Sequence, residues 1–159
     1  MASPSVAGGW LGTYYYDSRL SLPVQFEATF TRDSGAEGDG ERFGGKILDD
    51  ANGNGEAVIG HGIQQVRFVR FVKTYLQAAP GRYPVSYVGT LSESGLLLNG
   101  HWKLSLSATR RARAREVTGT WEARRIWHAD ESDTAEDEGA GLGMEMGLEI
   151  GRELAGAGR

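Results

Sequence analysis

The chain has 159 residues, 40% of them hydrophobic, with a formal charge of −4 and no cysteine. That length suits one domain, and the missing thiols exclude disulfides, cysteine nucleophiles and thiolate metal sites. The charge is uneven: residues 1–129 hold 15 Lys/Arg against 12 Asp/Glu, residues 130–159 hold 2 against 9, and neither part is basic enough to argue for nucleic acid.

Residues 1–8 read as a flexible leader without a basic-then-apolar secretory pattern. No apolar run approaches the roughly 20 residues that span a bilayer. A soluble, cytoplasmic protein with no membrane or nucleic-acid partner is expected. The first expected strand is 10–16. The second, 23–32, alternates Val24, Phe26, Ala28 and Phe30 with polar residues, the signature of a half-buried antiparallel strand. A glycine-rich acidic loop follows, then strands at 42–48 and 56–62 flanking Asp49–Gly55, whose Asn-Gly pairs signal a hairpin turn.

Residues 64–76 (QQVRFVRFVKTYL) are long enough for a helix, but their β-branched and aromatic content favours a strand. Val66 and Phe68 suggest one register and Phe71 and Tyr75 the opposite, so a bulge is expected between them. Lys73 enters the barrel in the second register and faces water in the first. Strands at 83–91, 96–107 and 116–126 complete eight, with no long internal helix and hence no parallel crossover. The expected fold is all-β: an eight-stranded antiparallel meander barrel over 9–128. Its interior should hold Trp10, Tyr14, Val24, Phe26, Phe30, Phe43, Ile47, Val85, Tyr87, Leu98, Trp102, Val117 and Trp121.

Beyond residue 128 the character changes. Asp130–Glu138 carries six carboxylates in nine residues, a density that resists folding. A glycine-rich segment with Leu142, Met144, Met146, Leu148, Ile150 and Leu154 follows. Residues 129–159 are expected to form an acidic tail, disordered or loosely helical, available to a protein partner.

Glycine stands two residues before, or directly before, a large aromatic in Gly9-Trp10-Leu11-Gly12-Thr13-Tyr14, Gly100-His101-Trp102 and Gly119-Thr120-Trp121, the last followed by Arg124 and Arg125. In these motifs the chain resembles the calycin-type barrels, the group of lipocalins, fatty-acid-binding proteins and avidins. In lipocalins an N-terminal Gly-x-Trp packs under a basic residue at the end of the last strand; here the glycine directly precedes Trp10. The resemblance covers about residues 9–126 and implies an eight-stranded barrel with a ligand cavity.

Several constellations could carry chemistry. Asp50-x-Asn52-x-Asn54-Gly55 has the oxygen spacing of a calcium loop, but its twelfth position is His61, and a hairpin turn accounts for the same residues. The three histidines lack metal-binding spacing, and neither a metal nor a cofactor is expected. Arg110, Arg111, Arg113 and Arg115 crowd one loop and read as a solvated hairpin tip, with phosphate or carboxylate binding the alternative. No catalytic motif assembles. The candidate ligand site is Tyr14, Lys73, Tyr75, Tyr87 and Trp102: a lysine among aromatic walls needs a partner and would orient an anionic or carbonyl-bearing ligand. The expected function is non-enzymatic binding of a small, partly apolar ligand. The alternatives are an interaction module that uses rim loops and tail, and an isomerase- or cyclase-type enzyme in the same cavity.

Overall fold

Eight antiparallel strands close on themselves in sequence order in the computed structural model, which describes residues 4–34, 40–77, 84–106, 110–111 and 113–129. They are β1 (Gly8–Tyr16), β2 (Val24–Arg32), β3 (Glu41–Asp49), β4 (Glu56–Gln65), β5 (Phe68–Tyr75), β6 (Val85–Leu91), β7 (Leu97–Leu106) and β8 (Arg115–His128). Among the described residues there is no helix. The acidic tail lies outside them.

The period-two alternation of the sequence becomes the inside and outside of the wall. Along β2, Val24, Phe26, Ala28 and Phe30 are buried while Gln25, Glu27 and Thr29 are exposed. Of the thirteen side chains expected inside, twelve are buried and Val117 packs partly buried against them. The two late Gly-x-Trp motifs explain each other. β7 and β8 pair so that Gly100 faces Trp121 and Gly119 faces Trp102. A Cβ on Gly119 would come within 2.5 Å of the Trp102 ring, and one on Gly100 within 1.9 Å of the Val88 carbonyl. Gly119 thus makes room for the Trp102 indole, Gly89 opposite Gly100 makes room for Trp121 at 2.6 Å, and Gly100 lets the β6 backbone come close.

Two expectations change. The stretch 64–76 is not one bulged strand: β4 ends at Gln65 and β5 starts at Phe68, joined by the two-residue turn Val66-Arg67. Val66 sits at φ 56° and is 77% exposed. This turn, rather than a bulge, reverses the register, so that Val69, Phe71 and Lys73 point inward. Bulges occur elsewhere, in β1–β8, β3–β4 and β4–β5 pairing. The second concerns the leader: residues 4–7 are packed, with Val6 fully buried. Gln64 ties them down. It accepts from the Val6 amide at 2.9 Å and donates to the Pro4 carbonyl at 2.7 Å.

Candidate functional site

The two ends of the barrel differ. At the end where β1 begins and β8 finishes, residues 4–7 cross the opening and Arg125 fixes them. Its guanidinium lies 4.5 Å from the Trp10 ring centroid and donates to the carbonyls of Ser5, Ala7 and Gly95. Trp10 donates its indole N–H to the Val6 carbonyl at 2.9 Å. A planar cation stacked on an indole while its N–H groups satisfy three carbonyls loses little by leaving water. This end is shut.

The middle is filled with rings. Phe71 stacks on Tyr87 at 4.9 Å and 9°, Phe30 lies 5.2 Å from Phe43 and 5.5 Å from Phe71, and Trp121 stands edge-on to Tyr87 at 5.7 Å. Eight-strand barrels are narrow enough to fill in this way.

Toward the other end, where the β1–β2, β3–β4, β5–β6 and β7–β8 connections lie, the core turns polar. Lys73 has no exposed surface and its Nζ donates to Asp49 Oδ1 at 2.6 Å. It also lies 4.7 Å from the ring centroids of both Tyr14 and Tyr75, so π faces surround the rest of the ammonium. The other carboxylate oxygen, Oδ2, accepts from the hydroxyls of Tyr75 at 2.7 Å and Tyr14 at 3.0 Å, and from the Asn54 amide at 3.2 Å. The two hydroxyls are 3.5 Å apart. No buried side-chain nitrogen or oxygen among the described residues lacks a partner.

Local sequence explains the arrangement. Asp49 continues the inward parity of Phe43 and Ile47 to the last residue of β3. The following turn folds onto it: a Cβ on Gly53 would stand 2.4 Å from Asp49 Cβ and 2.7 Å from Val24. Asp50, first residue of the calcium-like motif, accepts from the amides of Asn52 and Gln25, as a turn-forming aspartate does. His61 is exposed at φ 53°, in the irregular stretch of β4 between Gly60 and Ile63.

Burial shifts the acids and bases of the cluster. Desolvation pulls Lys73 below its ordinary value, and the adjacent Asp49 charge opposes that shift. Burial is the largest cause of the rise in both the Tyr14 and Tyr75 phenols; their mutual hydrogen bond raises Tyr14 further and lowers Tyr75, the Asp49 charge raises each, and both stay protonated. Tyr87 is raised chiefly by burial.

Of the five expected site residues, Tyr14, Lys73 and Tyr75 meet around Asp49. Trp102 joins them through its edge contact with Tyr14 at 6.0 Å and holds its indole N–H on the Tyr15 carbonyl. Tyr87 belongs to the deeper ring stack. Asp49 and Tyr16 were not among the residues expected at the site, although both follow the inward parity of their strands. Tyr16 packs edge-on to Trp102 at 5.0 Å. Tyr16, Tyr75, Leu104 and Val117 are partly buried and pack against the core at this end.

A separate concavity of about 670 Å³ lies on the outside of the wall across β3, β2, β1, β8 and β7. The register sets Leu48, Glu27, Leu11, Arg124 and Leu97 side by side across it. It does not include Lys73 or Tyr75. Among the described residues no group of three or more metal-ligating side chains occurs, and no helix is long and apolar enough to cross a membrane. Comparison with protein families, curated proteins and solved structures finds no match for this chain.

Proposed function

We propose that this is a calycin-type barrel that holds a small, partly apolar ligand non-enzymatically in its unsealed end, with Tyr16, Tyr75, Leu104 and Val117 as walls. The observation that carries the reading is the asymmetry of the two ends. One is shut by Arg125, Trp10 and the strapped residues 4–7; the other stops at half-buried apolar side chains over a finished polar cluster. The Arg125–Trp10 stack also supports the calycin resemblance, in which a basic residue of the last strand covers the first-strand tryptophan.

The chemistry of the cluster narrows the ligand. Asp49 neutralises Lys73, and both tyrosine protons point at Asp49. The Tyr75 phenol gives its proton to Asp49 and its oxygen is met by the Asn54 side chain, so the cluster is complete in itself. An anion would find no unpaired cation in it, whereas a neutral head group such as an alcohol needs none. This favours a neutral head over the anion that the sequence suggested.

The test is fluorescence titration with anthroyloxy-labelled stearyl alcohol and the corresponding stearic acid. The alcohol should bind saturably and about tenfold or more tighter than the acid, since the carboxylate would leave water without a free cation to meet it. Val117→Trp should block both without unfolding the barrel. Failure of the alcohol to saturate, or tighter binding of the acid, would overturn the reading.

A further inference from the structure

The rim of the unsealed end carries features that the ligand reading does not use. The β1–β2 connection exposes Leu20 at 97% and Leu22 at 70% of their surface, on either side of Ser21 and next to the exposed Arg19. Two leucines held out of the core on one short loop each forgo about 1.5–3 kcal/mol of burial. With Val66 they are the most exposed large hydrophobic side chains among the described residues.

The neighbouring connection supplies charge of one sign. β1 and β8 pair as far as Tyr16 with Gly119, and Asp17 continues the contact, its amide donating to the Thr118 carbonyl at 3.0 Å. The β1–β2 loop therefore rises beside the chain that leads into β8. There Arg110, Arg111, Arg113 and Arg115 are all exposed. Against these and Arg19 stand Asp17, which accepts from the Thr118 hydroxyl, and Glu116, which pairs with Lys103 at 3.1 Å, while Arg111 is itself engaged within the chain. This sector is basic although the whole chain is acidic.

We propose that this rim docks peripherally on an anionic lipid surface, Leu20 and Leu22 inserting among acyl chains while the arginines meet the headgroups. The inference rests on the ligand reading for its purpose, since an apolar alcohol would pass from bilayer to barrel mouth without crossing water. Protruding leucines on a loop tip, flanked by cations, suit a soft apolar layer beneath an anionic one. A folded acidic protein would instead need a complementary pocket for each leucine. The absence of a spanning helix is no obstacle, because the apolar contact is confined to one loop.

The experiment is co-sedimentation of the full chain with vesicles of phosphatidylcholine alone and of equal parts phosphatidylcholine and phosphatidylserine. Binding is expected only to the anionic vesicles and should fall as salt is raised. The double variant Leu20→Ser/Leu22→Ser should lose about tenfold or more in partitioning. Arg110→Gln/Arg111→Gln/Arg113→Gln should lose on the order of a hundredfold, at roughly fivefold per basic residue. Both variants should keep wild-type affinity for the labelled alcohol in solution, which separates failure of docking from failure of the ligand reading. Absence of vesicle binding, equal binding to neutral vesicles, or leucine variants that sediment like wild type would overturn the proposal.

Discussion

Removing Asp49 alone should cost more than removing Asp49 and Lys73 together. Asp49→Leu leaves an ammonium with no exposed surface facing two aromatic rings, and deprives the Tyr14 and Tyr75 protons of their acceptor. Breaking a buried pair from one side costs about 3–5 kcal/mol. Lys73→Met is milder, because the Asp49 carboxylate keeps the Tyr14, Tyr75 and Asn54 donors; the loss should be about 1–3 kcal/mol. In Asp49→Leu/Lys73→Met no charge is stranded and methionine refills the space, so the double variant should be more stable than Asp49→Leu alone. The resulting coupling should be at least about 2 kcal/mol, well outside the additivity of independent sites. Urea unfolding of the four proteins at pH 7, followed by tryptophan fluorescence, measures it. Additivity within about 0.5 kcal/mol would show that the two groups are not a pair and that the polar cluster has been misread.

Two further outcomes follow from the same geometry. The folded-state values of Tyr14, Tyr75 and Tyr87 are all raised, so above the ordinary phenol value of about 10 the unfolded chain releases three protons that the folded one keeps; stability should fall by about 4 kcal/mol per pH unit above pH ~10.5. Lys73 does not offset this, since its lowered value raises stability with pH only up to the unfolded lysine range, and a pH-independent urea midpoint between pH 10 and 11.5 would contradict the burial of these phenols. Gly53→Ala should destabilise by about 1–3 kcal/mol, because its Cβ would press on Asp49 Cβ at 2.4 Å; an unchanged urea midpoint would mean that the β3–β4 turn does not pack on the carboxylate.

Strand order, the identity of the inward faces and the closing of the barrel were legible in the chain because alternation is a local, period-two property. It survives any tertiary arrangement in which one face is wet. The glycine-tryptophan spacing was legible for the same reason, since each motif describes one short stretch of strand. The Val66-Arg67 turn was not, because it lacks the Gly, Asn or Asp that ordinarily mark a two-residue hairpin, and a β-branched residue at φ 56° is held there by the strands it joins. Lys73 could be recognised as a lysine in want of a partner, but Asp49 looked like part of a turn. The two stand 24 residues apart in the chain, on strands separated by β4, and only closure of the wall brings their side chains together across the interior. The same is true of Arg125 and the strap of residues 4–7, more than a hundred positions away. Which residues face inward is written along each strand; which of them touch depends on the curvature and shear of the whole barrel, to which every strand contributes.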